Sequence, residues 1–140
     1  MVGDDDDDPT AVRSLALSPE DAANAYAYTR ENPGEAVLRV TPPFHGRMRG
    51  RLHVYRRDDT ELTGAVHVSP AAVIEADVVE EYPALETELE GADVAETERL
   101  RKRHAEAVDA WQTRARNAIV ETVALETDEG PHLVEIKQLG

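Results

Sequence analysis

The sequence predicts an α+β fold with a mainly antiparallel sheet. One face of that sheet is covered by a long helix from the C-terminal half and a shorter N-terminal helix. Three observations carry the prediction. Short segments of alternating apolar and polar residues cluster between residues 36 and 68 and return after residue 123. Two segments combine helical periodicity with capping residues, at 18–31 and from about residue 93. Strands and helices do not alternate in the regular βαβ manner of a parallel sheet.

The elements follow in order. Residues 1–10 read as an acidic disordered tail, because Asp4 to Asp8 repel one another up to Pro9. Residues 11–140 read as a single domain, with "VRSLALS" as a first short strand. Ser18 caps the next helix, Pro19 takes its first position, and Glu20 and Asp21 favour the positive end of its dipole. Asn32-Pro33-Gly34 stops it. "AVLRVT" and "RMRGRLHVYR" are strands joined through Pro42-Pro43-Phe44-His45-Gly46, and "GAVHVS" follows the polar turn "DDTEL". A short helix starts at Pro70, and from Glu75 to Glu98 there are ten acids and no base. Asp93 and Glu96 have the spacing of a capping box. Leu100, His104, Ala107, Trp111, Ala115, Ala118 and Thr122 then form one stripe of a long helix expected to dock on the sheet. "VALETDEGPHLVEIKQL" closes the chain as a hairpin turning at Asp128-Glu129-Gly130.

Composition sets the setting. The 140 residues carry 29 Asp and Glu against 15 Lys and Arg, a formal charge of −14, and the only lysines are Lys102 and Lys137. Many carboxylates, few lysines and an Ala- and Val-rich core fit a protein kept soluble in concentrated salt, where self-repulsion is screened. The expectation is a cytoplasmic protein of a salt-in halophile. Cysteine is absent, which excludes disulfides, thiolate metal sites and a cysteine nucleophile. No apolar run reaches the ~18 residues of a membrane span, and "MVGDDDDDP" is unlike a signal peptide.

Against this acidity, six arginines and no acid fall between Ala36 and Arg57. Side chains alternate across a strand. One face of 47–57 therefore carries Arg47, Arg49, Arg51, His53, Tyr55 and Arg57, and the other Met48, Gly50, Leu52 and Val54. Arg39 and His67 join the basic face from the flanking strands. A turn at Phe44 sets Arg39 opposite Arg49, and a turn at Thr60 sets His53 opposite His67. Opposed like charges destabilise a sheet unless an anion neutralises them. The expected function is non-enzymatic binding of nucleic acid or another anionic partner through arginine, with Phe44 and Tyr55 available for base stacking. The alternatives are docking of an acidic protein, pairing with the carboxylates of 75–98, and simple solvation. Oligomeric state is left open.

Other chemistry has weaker signals. The five histidines include no close-spaced ligand pair, and an arginine field repels cations, so no metal is expected. No cofactor is implied: glycine spacing matches no phosphate loop, and Ser14, Ser18 and Ser69 suit turns and caps. His104 reads as a partly buried core histidine. The bases of "RLRKRHAEAVDAWQTRAR" scatter around their helix as solvated or i,i+4-paired residues.

At "SLALSPED", "AVLRVTPPFHGRMRGRLHV" and "GPHLVEIK" the chain resembles an uncharacterised family of small haloarchaeal proteins, over nearly its whole length. The resemblance supports the halophile expectation and implies no fold, activity or site residue.

Overall fold

The computed structural model describes residues 8–55, 64–84, 91 and 93–139; Tyr55 is described by its backbone alone. Asp4 to Asp7, Arg57 and the turn at Thr60 lie outside the described residues. Asp8 accepts hydrogen bonds from the Thr10 amide at 3.0 Å and hydroxyl at 2.7 Å, capping a 3-10 turn at Pro9–Ala11.

Among the described residues, seven strands form two sheets. β1 (Ser14–Leu17), β3 (Arg47–Arg49), β6 (Thr122–Thr127) and β7 (Gly130–Gln138) make a four-stranded sheet in the order β3-β1-β7-β6. β2 (Glu35–Val40), β4 (Arg51–Tyr55) and β5 (Val66–Val68) make a three-stranded antiparallel sheet in the order β4-β2-β5. The expected single, mainly antiparallel sheet is thus corrected in part. β1 runs parallel to both β3 and β7, and only β6–β7 is antiparallel in the larger sheet. Alternation marks a strand's buried face but carries no information about which strand lies beside it.

The helices are α1 (Pro19–Glu31), α2 (Ala76–Glu80) and α3 (Val94–Arg116), with a further 3-10 turn at Pro70–Ala72. Ser18 Oγ accepts from the Asp21 amide at 3.3 Å, and Asp93 Oδ1 from the Glu96 amide at 2.8 Å, so both caps form where the sequence puts them. α1 buries Ala22, Ala23, Ala25 and Ala27, and these short side chains let it lie close to β2. The long helix does not sit on the strands as expected. α3 packs chiefly on α1 and α2, so α1 forms a layer between it and the three-stranded sheet. The reason is Trp111, whose bulk is taken up by Tyr26 and Tyr82, at ring distances of 5.1 and 4.9 Å. Its indole N–H donates to the Val78 carbonyl at 2.7 Å. Leu15 and Leu17 of one sheet, Leu38 and Val40 of the other, Ala22, Ala23 and Ala27 of α1, and Trp111 belong to one core.

Residues 47–55 run through both sheets. The single strand expected there is divided at Gly50: Arg47 to Arg49 pair with β1, and Arg51 to Tyr55 with β2. A Cβ at Gly50 would lie 3.5 Å from both Leu15 Cδ1 and Leu38 Cβ, so the crossing point has room for little more than a methyl group. At the final hairpin Gly130 takes φ +102°, a left-handed conformation that costs glycine little.

Candidate anion-binding face

Alternation survives the division at Gly50. Arg47, Arg49 and Arg51 are all exposed, while Met48 and Gly50 turn inward. Leu52 and Val54, expected to be core, stay 36% and 40% exposed, because β4 has no neighbour beyond it among the described residues.

The register differs from the expected one by two residues. Arg39 lies opposite Arg51, not Arg49, because Arg49 is taken by Ala16 of β1. A two-residue shift preserves the faces, so an arginine still opposes an arginine. The second expected pairing also changes. β5 pairs with β2 instead of β4, which sets His67 opposite Arg39 and His53 opposite Val37. The two histidines therefore flank Arg39, with ring centroids 6.0 Å apart.

Arg39 Nη1 is 3.4 Å from both ring nitrogens of His53. Equal distances cannot place it in line with either lone pair, so the guanidinium lies against the face of the ring. Arg39 Nε is buried without a hydrogen-bond partner among the described residues. Nor, among those residues, does any carboxylate form an ion pair with Arg39, Arg47, Arg49 or Arg51. The ion pairs shown are His104–Glu31, Arg114–Glu81 and Lys137–Glu135. Glu81, from the acid-rich 75–98 passage, thus turns to the long helix and not to the arginine row.

Phe44 is a correction. It is only 2% exposed and belongs to the core, so it offers no surface for base stacking. The apolar side chain of the "PPFHG" connection between β2 and β3 joins the core, while His45 beside it is exposed. The Tyr55 ring and Arg57, expected on the face, lie outside the described residues.

A second cluster has residues too far apart in sequence to be paired by inspection. Glu31 Oε2, at the end of α1, accepts from the Tyr82 hydroxyl at 2.6 Å and from His104 Nε2 at 2.8 Å. A carboxylate has no proton to give, so His104 donates from a protonated Nε2. The His104 side chain is 10% exposed, in keeping with the partly buried histidine expected from the apolar stripe. Arg30 lies over the Tyr82 ring, 4.8 Å from its centroid. Beside the cluster a depression of about 380 Å³ is lined by Glu31, Arg101, His104, Ala105, Val108 and Asp109. The only sequence signal is His104 on the apolar face of its helix.

Burial raises the Glu31 carboxyl, but the hydrogen bonds from Tyr82 and His104, with the charges of His104 and Arg30, outweigh it and hold the group below 4.5. Burial, then the Glu31 carboxylate, keep the Tyr82 hydroxyl protonated far above the usual phenol range. A carboxyl depressed on folding contributes stability above its unfolded pKa, and that stability is lost as pH falls through the folded value. Glu31→Gln is therefore expected to flatten the acid side of the stability profile below about pH 5. Urea titrations at several pH values check this; identical acid slopes in both proteins refute it.

Fold and face together define the chain as an α+β protein with an arginine-lined outer sheet surface. It belongs to the family described as Domain of unknown function (DUF8009), whose profile matches residues 1–140. No curated protein and no solved structure matches it. No helix among the described residues is long and apolar enough to cross a membrane.

Proposed function

We propose that this is a non-catalytic binding protein of a halophile's cytoplasm that holds an anionic partner, nucleic acid first, on the Arg47–Arg49–Arg51 row and Arg39. The observation that carries the reading is the opposition of Arg39 and Arg51 with no carboxylate paired to either among the described residues. In a chain of charge −14, acids are abundant enough to neutralise such a pair. Leaving it open costs stability, and an external anion recovers that cost. Arginine suits the role because its planar fork binds phosphate in two places.

With Phe44 buried, the described residues add no aromatic platform, so affinity rests on short-range bonds to the backbone phosphates. In molar salt long-range steering is nearly absent, with a Debye length of about 3 Å. The buried Phe44 also favours a second reading, in which the same row docks carboxylates of an acidic protein.

Fluorescence anisotropy with labelled RNA and DNA oligonucleotides in KCl separates the two, using nuclease-treated protein. Arg51→Ala is expected to weaken binding by roughly 1.5–3 kcal/mol, the worth of hydrogen bonds to a charged group, while stability holds or rises, because the opposed charge is gone. No binding to either oligonucleotide overturns the nucleic-acid reading. A loss of stability matching the loss of binding makes Arg51 a structural residue. A protein that stays bound through purification in molar KCl after nuclease treatment supports the second reading.

A further inference from the structure

The outer strand β4 ends its sheet among the described residues, and its neighbourhood is unusually apolar for so acidic a protein. Leu52, Val54 and Tyr28 are 36%, 40% and 37% exposed. They form one patch: a Cβ built at Gly34 meets Tyr28 Oη at 3.4 Å and Val54 Cγ1 at 3.8 Å. β4 itself carries no acid. An exposed apolar edge strand is a template for another strand and is normally blunted by charge, proline or a bulge. On β4 the apolar side has none of these.

The geometry points to a second copy of this chain as the occupant, with the two β4 strands antiparallel about a twofold axis at His53. Only that register overlaps all five residues of β4 with all five of its partner. It sets Leu52 of each copy opposite Val54 of the other on the apolar side. On the other side it sets Arg51 opposite Tyr55, so the two arginines do not face each other. Glu35 lies opposite Tyr55 within each copy. Each Arg51 therefore enters the rung that ends in the other copy's Glu35, and the pairing places unlike charges on one rung. Two chains of charge −14 repel over most of their surface, and this acid-free edge is where they can meet. The arrangement is isologous, as a closed dimer requires. The three-stranded sheets fuse into one six-stranded sheet, with both arginine rows on the same outer face.

The pairing makes a specific demand on position 53. Directly opposed residues of antiparallel strands have Cα atoms about 4.5–5.5 Å apart, within disulfide range. The chain contains no cysteine, so His53→Cys gives one thiol per copy. In molar KCl, light scattering after size exclusion is expected to give twice the chain mass. His53→Cys is expected to form a covalent dimer on mild oxidation, and Val54→Lys to return the mass to one chain with an unchanged circular-dichroism spectrum. Leu133→Cys and Leu133→Lys, on an exposed residue of β7, serve as controls that neither cross-link nor change the mass. A monomer at all concentrations overturns the proposal. So does a dimer that survives Val54→Lys, or one that His53→Cys cannot cross-link. If Val54→Lys fails to fold, the cross-linking of His53→Cys against Leu133→Cys decides alone. Binding of nucleic acid is a separate measurement, so the dimer can fail while the arginine face stands, and the reverse.

Discussion

Trp111→Ala is expected to lower unfolding stability by about 3–5 kcal/mol, the usual cost of truncating a fully buried large aromatic. Trp111 is the largest fully buried side chain, and it is where α3, α1 and α2 meet. Removing it empties the space against Tyr26 and Tyr82 and takes one of two donors from the Val78 carbonyl, which keeps the Glu81 amide at 3.1 Å. Trp111→Phe keeps part of the volume but still loses the hydrogen bond. Its expected cost is smaller, roughly 0.5–1.5 kcal/mol for the lost hydrogen bond plus the packing lost with the smaller ring, because the Val78 carbonyl keeps the Glu81 amide. Denaturant titrations at fixed KCl measure both. Equal, small losses for the two variants contradict a packing role, because they show that the helical layer does not depend on the indole.

Withdrawal of salt is expected to have a still larger effect, amounting to loss of the fold. Among the described residues only Glu31, Glu81 and Glu135 hold a cationic partner in an ion pair. Most of the 29 carboxylates must therefore rely on screening. The Debye length grows from about 3 Å at 1 M salt to about 10 Å at 0.1 M, and each carboxylate then feels many neighbours instead of few. Native domains are stable by only about 5–15 kcal/mol, and this core is built largely of alanine and valine. Circular-dichroism melts in molar KCl and in dilute buffer measure the effect. A melting temperature that does not move with salt contradicts the halophile reading, whatever the arginine face binds.

Features with a local cause are legible in the sequence. Ser18, Pro19 and Asp93 begin helices because a cap needs only an acceptor within three residues of a free amide. The final hairpin turns at Gly130 because the backbone there needs a positive φ. The faces of β3 and β4 follow from period-two alternation, and the exposed row of Arg47, Arg49 and Arg51 follows from it directly. His104 stands out for a similar reason, as a titratable residue in an apolar stripe.

Partners distant in sequence are not legible. Alternation cannot say that β1 claims Arg47 to Arg49, or that β5 pairs with β2. It therefore puts the opposed arginines two residues away from their true register, and sets His67 beside the wrong strand. The burial of Phe44 depends on which elements close over the connection from β2 to β3, and the Glu31–Tyr82–His104 cluster on how α1, the 82 segment and α3 converge.

By itself, then, the sequence determined the acidity, the helix starts, the strand faces and the existence of a basic row, because each follows from composition or from neighbours a few residues away. The end of α3 was not among them: the helix stops at Arg116, and Thr122, expected on its stripe, opens β6. Only the tertiary structure decided the strand order, the Arg39–Arg51 register, the docking of α3 on α1 and the place of β4 at the end of its sheet among the described residues. Those depend on packing between segments tens of residues apart, where shape and volume choose the partner and no local pattern records the choice.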